Sequence, residues 1–449
     1  MDSNIKPVQS AEIPVISSHV AKLVKAIDDG KTCDEIFDTL ARMADTTREN
    51  DQYIPSKSLR TAFESDGSNG NPLRILLHTI PRKLLRSLAL GLLAYDFYDK
   101  SSENHENHYS TGGPGTYAIG LTCEGRGGAF LSRREIVELR TCLKEYYCGF
   151  KVWQRHGDAY GTSQLTGDEA RSYRISMLVD DFFRTEPWDE ASGDMPRPAL
   201  CQGAQQSDKN ARSTDNLAWL LSMLKKRVVL GYDGDVHQIS SPIQIGCSVE
   251  MDKRWFQHDP LKSNLVQSSK LLKLMVGGMK YMGLKPQVCV IPIMKTWLDE
   301  QLPLSGILGT VIASSYVTQA GLNVVAPGAN TSKVKENRRG VLQENKEEVY
   351  LDKPFFSENR QITLNSRSED RTLKQAIERY DKGKLSVDKL KALAQKRDEI
   401  EGDIHLKRLQ LERRLKHLDD AAALVDESKE TLAVGRRLLG QDESSDSEP

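Results

Sequence analysis

The chain is poor in the features that would assign it at once. Its 449 residues contain no CxxC pair, and the seven cysteines fall irregularly at 33, 123, 142, 148, 201, 247 and 289. That spacing argues against a disulfide framework and fits reduced thiols in an intracellular protein. No charge of one sign dominates. The 62 Lys and Arg against 63 Asp and Glu leave a formal net charge of -1, which excludes bulk attraction to nucleic acid or anionic membrane and leaves room only for a local basic patch. No apolar run approaches the roughly 18 residues that would span a bilayer. The best stretch, Leu84 to Tyr95, is short and holds Arg86. The opening MDSNIKPVQS is polar and does not read as a signal peptide. These absences point to a cytoplasmic or nuclear protein with no membrane partner.

What is present suggests several parts. The length allows two or three domains, and a charged fraction of 28% places part of the chain outside any core. Residues 1–100 read as a helical N-terminal domain. Ile16, Val20, Leu23, Val24 and Ile27 form one apolar stripe, and Ile36, Leu40 and Met43 form another. Residues 116–183 read as a small α+β or helical region, in which TYAIGL supplies a strand. Ser132 caps the next helix, and Thr166-Gly-Asp-Glu169 is a capping box opening a third. Residues 184–215 lack periodicity and read as a linker. Residues 331–370 read as a flexible connection with a strand-like patch at Gln361 to Leu364. Residues 371–440 read as a long charged helix or coiled coil: Ile404, Leu411, Leu418, Val425 and Leu432 recur every seven residues. The acidic tail, 441–449, reads as disordered.

Residues 216–330 carry the most chemistry. A helix over Asn216 to Lys226 is followed by RVVLGYDGD and SPIQIGCSV, which read as two strands of a hairpin. A helical stretch from Met251 to Met282 is broken at His258-Asp-Pro260. KPQVCVIPIM is a third strand, and Thr310 to Gln319 a helix ending at Ala320-Gly321. Leu230-Gly231-Tyr232 stands on the first strand and Gln244-Ile245-Gly246 on the second. Arg254 follows Gly246 by eight residues, then His258, and Gly321-Leu322-Asn323 follows the last helix. In order and spacing, residues 225–329 resemble the GIY-YIG nuclease family.

The resemblance implies an α+β fold, a small antiparallel sheet with flanking helices. It also implies a chemistry: a tyrosine near the attacking water, an arginine on the phosphate and a glutamate holding one divalent metal. On that basis Tyr232, Arg254 and His258 are catalytic candidates. Gly246, Lys253 and Asn323 are substrate-binding candidates, and Glu300 is the metal candidate, for Mg²⁺ or Mn²⁺. An arginine fork suits phosphate oxygens, and a hard cation wants carboxylates. Two positions depart from the family. Gln244 replaces the second-motif tyrosine, and Leu308 to Val311 occupy the region where the glutamate is expected. The words TYAIG share letters with the family motif but have no matching elements close downstream, so they read as a short strand beside a helix.

The expectation is therefore a degenerate GIY-YIG-like module with impaired catalysis and no certain cofactor. It binds nucleic acid or a protein partner and self-associates through 385–435. The alternatives are an active divalent-metal endonuclease using Tyr232, Arg254 and Glu300, and a structural coiled-coil adaptor.

Overall fold

Nine consecutive residues, Gly115–Cys123, form strand β1, and all nine are buried. A strand covered on both faces needs a backbone partner along each edge and apolar cover above and below. In the computed structural model, β1 pairs antiparallel with β2 (Ile243–Ser248) along one edge and with β3 (Pro286–Lys295) along the other, giving the order β2-β1-β3. The structure describes residues 16–50, 56–64, 71–99, 108–156, 162–184, 186–198, 209–228, 234–260, 263, 265, 268–325, 327, 339–382 and 387–438.

Before β1 come α1 (Ser18–Asp28), α2 (Cys33–Asn50), α3 (Ser56–Glu64), α4 (Pro72–His78), α5 (Arg82–Leu90) and α6 (Leu93–Asp96). Between β1 and β2 lie α7 (Arg133–His156), α8 (Gly167–Asp181) and α9 (Lys209–Lys226). Between β2 and β3 lie α10 (Met251–His258) and α11 (Lys270–Tyr281), and after β3 come α12 (Gln301–Ile312), α13 (Arg339–Glu347), a π-helical turn (Glu348–Asp352), α14 (Phe355–Lys382) and α15 (Val387–Leu438).

Strand periodicity sorts the side chains into two layers. Ala118, Ile243, Ile245, Ile291 and Ile293 pack with Leu40, Leu76 and Leu88 of the early helices and with Leu308 and Ile312 of α12. Tyr117, Ile119, Leu121 and Val290 face the other way, onto Leu139 and Leu143 of α7, Leu220 of α9 and Met275 and Met279 of α11. The sheet is thus the middle layer of three, and residues up to 366 form one compact unit. The boundary expected at 184–215 does not divide the core, because the central strand precedes it and both neighbours follow it. For the same reason β2 takes β1 as its partner; of the hairpin strand expected before it, residues 229–233 lie outside the described residues.

Local chemistry sets the helix ends. Ser17 Oγ accepts from Val20 N at 3.2 Å to open α1. Ser132 and Glu135 form reciprocal bonds at the head of α7, where Arg126 also grips Glu135 through both terminal nitrogens. Thr166 and Glu169 make the capping box that the sequence encodes. The helix expected over Thr310 to Gln319 instead starts at Gln301 and stops at Ile312, where Ser314 turns into the left-handed region at φ 44°.

The expected flexible connection before residue 370 is helical from Arg339, including the π turn, apart from Lys353 and Pro354; residues 331–338 lie outside the described residues. Docking explains the order. Asn359 Nδ2 donates to the carbonyls of His78 and Ile80, both at 2.9 Å, and Phe355 is buried in the first layer. The strand-like patch at Gln361 to Leu364 lies within α14. Residues 367–449 form the second unit, in which α15 is a single helix of 52 residues. Residues 441–449 lie outside the described residues. Among the described residues no helix is long and apolar enough to cross a membrane.

One buried ion pair ties the loop before β1 to the end of β3 and the π turn. Lys295 Nζ lies 3.2 Å from Glu348 Oε2, donates to Ser110 Oγ at 2.9 Å and to the Gly112 carbonyl, and its side chain is 1% exposed. Asn345 Nδ2 donates to the Pro114 and Thr296 carbonyls, each at 2.8 Å. Burial pulls the lysine below its ordinary range, with Glu348 opposing. Removing one partner strands a charge in the core, which costs about 3 kcal/mol. Glu348→Gln should therefore lower the unfolding free energy in urea by that order, and Lys295→Met combined with Glu348→Leu should lower it less than Glu348→Gln alone. A neutral Glu348→Gln would show the pair to be structurally idle.

Candidate functional site

On the second face of the sheet, Tyr117 stands directly opposite Gly246. A Cβ at 246 would overlap the tyrosine ring and hydroxyl, so the glycine is what lets the ring lie across β2. The Tyr117 hydroxyl is 2.9 Å from His258 Nε2, and the two ring centroids are 5.5 Å apart. His258 Nδ1 is 2.8 Å from Ser268 Oγ. Beside them Gln244 Oε1 accepts from Ser269 Oγ at 2.7 Å, and Ser269 caps α11. Arg254, one turn before His258 on α10, donates to Gln257 Oε1 at 3.1 Å.

The electrostatics keep this group neutral. Burial, helped by the positive field of Arg254, pushes His258 down to about 4. Burial also raises the Tyr117 hydroxyl above the ordinary tyrosine range, against the opposing pull of Arg254. A neutral imidazole offers one donor and one acceptor, so its two nitrogens can serve the tyrosine and the serine together. A buried phenol of raised pKa does not supply a phenolate base at neutral pH.

The structure separates the candidate residues by role. Arg254 and His258 share α10, and Gly246 lies under Tyr117, next to them. Tyr232 lies outside the described residues. Asn323 is not turned to a ligand: its side chain accepts from Ile245 N at 2.7 Å and donates to Ile245 O at 2.8 Å, holding β2 in place of a further strand. Lys253 is exposed and pairs with Glu250 at 2.9 Å. Glu300 is exposed at the head of α12, a helix that packs in the first layer, whereas α10 packs in the second through Met251. Glu300 stands in no cluster of metal-ligating side chains, so the described donors form no site for Mg²⁺ or Mn²⁺. No cluster of three or more His, Cys, Asp or Glu stands together among the described residues.

Sequence reasoning passed over Tyr117. The signal was available in TYAIG, but its partner Gly246 lies more than a hundred residues downstream, so no local spacing could connect them. On the opposite face Cys247 bonds Thr116 at 3.2 Å, and burial drives its thiol up to about 12 despite the hydroxyls of Thr116 and Ser305. It is a core residue, not a nucleophile. Compared with protein-family models, with curated proteins and with solved structures, the chain matches none of them.

The histidine gives a pH test. Folded His258 stays neutral down to about 4, whereas its ordinary value is 6.5, so between those values the unfolded chain binds the extra proton. Its contribution is intact above pH 6.5 and is lost as the pH falls toward 4, by on the order of 3 kcal/mol. Urea unfolding across that range should show the loss. His258→Gln should be less stable at pH 7 yet show a shallower decline; an equally steep decline in that variant would assign the slope elsewhere.

Proposed function

We propose that residues 1–366 form a GIY-YIG-like binding module that engages single-stranded nucleic acid and does not cut it. The carrying observation is the closed Tyr117–His258–Ser268 chain. In the family-like arrangement, tyrosine and arginine would serve an attacking water and a phosphate. Here the tyrosine facing Gly246 has its hydroxyl engaged by a neutral histidine, and no cluster of three or more metal-ligating side chains stands among the described residues. What remains outward is on α10. Phe256 is 59% exposed, and the Lys253 side chain, 65% exposed, lies one turn before it on the same side of the helix. An exposed aromatic with a cation beside it suits base stacking and phosphate contact without sequence readout.

Anisotropy of a labelled single-stranded oligonucleotide tests the reading. Phe256→Ala should weaken binding by about tenfold, as for one lost stacked base. Lys253→Ala should flatten the salt dependence by about 0.7 in log–log slope. Unchanged affinity in both variants removes α10 as the contact. Cleavage of the strand with Mg²⁺ or Mn²⁺, abolished by Arg254→Ala, would establish the endonuclease alternative.

A separate observation favours self-association by the second unit. On α15, about 78 Å long, Ile404, Leu411, Leu418 and Val425 are each more than half exposed and recur at heptad spacing. A second copy of the same helix supplies the complementary seam. Light scattering on the full chain should report a dimer, and Leu411→Glu with Leu418→Glu should give a monomer. A monomeric parent chain overturns this part.

A further inference from the structure

A cavity of about 580 Å³ opens where α1, α5, α9, the start of β2 and the end of α12 meet. Its volume falls within the range of small-molecule sites. Val20, Met43, Leu90, Met223, Ile243 and Ala313 give it an apolar wall. At one side sits Arg227, which is 6% exposed.

This arginine is chemically unusual. Among the described residues its hydrogen-bond partners are two backbone carbonyls, Ser240 O at 3.0 Å and Ala320 O at 3.4 Å. A guanidinium carries five N–H donors, so these bonds leave donor capacity over. Burial draws its pKa down to about 10 with no carboxylate opposing, and its guanidinium carbon lies 5.9 Å from the centre of the Phe130 ring. Arginine cannot shed its proton at neutral pH, so the chain maintains a buried positive charge on a cavity wall. Two further features sit on that wall. The Thr318 hydroxyl oxygen is buried without a hydrogen-bond partner. Ser314 holds a left-handed backbone at φ 44°, a strained conformation for a side chain that is characteristic of ligand sites.

We propose that this cavity binds a small aliphatic monocarboxylic acid, its chain against the Val20–Met43–Leu90–Ile243 wall and its carboxylate on Arg227. The charge balance selects the ligand class. One buried guanidinium matches one negative charge, and its planar fork matches two carboxylate oxygens. Thr318 Oγ1 can donate to one of those oxygens. Lys226, which also lines the cavity, is exposed and bonded to the Thr318 carbonyl at 3.4 Å, so water screens its charge as it does not screen that of Arg227. A neutral alcohol of the same length would fill the apolar wall and leave the arginine uncompensated. A phosphate monoester would bring a second charge that this single buried cation does not match.

Displacement of dansyl-undecanoate from the full chain tests the assignment. Decanoate should compete about tenfold better than decanol or decyl phosphate, the difference being the charge-assisted pair. Arg227→Met should abolish that preference while decanol still competes. Ala313→Phe, which fills the cavity and leaves the charge, should abolish reporter binding. Equal competition by acid and alcohol, preference for decyl phosphate, absence of reporter binding to the parent chain, or undiminished binding in Ala313→Phe would each overturn the proposal. If Arg227→Met does not fold, the acid-to-alcohol ratio in the parent and the Ala313→Phe result decide it.

Discussion

Burial of β1 on both faces is the constraint from which the rest follows. A strand with no solvent edge cannot leave backbone groups for water. It therefore recruits β2 and β3 from more than a hundred residues downstream, and the helices before and between them become its two covers. Residues up to 366 are for this reason a single three-layer unit although their sequence looks segmented. Long-range pairing of this kind is entropically expensive to reach. It is stabilised by the apolar contacts of both layers at once, so neither the early helices nor residues 216–330 own a complete core.

The same strand organises the polar chemistry. Alternation along β1 sends Thr116 to one face and Tyr117 to the other. Thr116 meets Cys247 and Ser305 in the first layer; Tyr117 meets His258 in the second. The two clusters are adjacent in sequence and separated by the sheet. A residue that looks like a neighbour in the chain is then chemically remote.

Much of the fold was legible locally. The capping boxes, the apolar stripes of α1 and α2, the break after His258 and the strand character of KPQVCVIPIM all rest on interactions within a few residues. The pairing of TYAIG with QIG was not legible, because nothing local encodes register between distant strands, and the GYDGD words offered a nearer partner. Gly246 reads as a motif residue, but its physical reason is the Tyr117 ring. Asn323 reads as a motif residue too, yet its amide completes the outer edge of β2 by imitating a strand. The order of 339–366 was hidden by polar composition. Asn345, Asn359 and Glu348 are polar because they bond buried backbone and Lys295, not because they face water.

Three buried bases show how the chain handles charge when solvent is withdrawn. Histidine can release its proton, and His258 does so, becoming a neutral link between a phenol and a serine. Lysine could release its proton too, but Lys295 faces Glu348 and several oxygens, so Coulomb attraction and hydrogen bonds offset part of the desolvation. Arginine has neither freedom. Arg227 must stay charged, and among the described residues it meets two carbonyl dipoles and the face of the Phe130 ring, with no carboxylate hydrogen-bonded to it. The first two arrangements are closed: every strong group faces a partner that matches it. The third is matched in geometry but not in charge, and it borders the cavity where α1, α5 and α9 meet. A buried cation on a cavity wall is therefore a point at which the described residues leave a charge unmatched, and an anion entering from solution is the simplest physical completion of it.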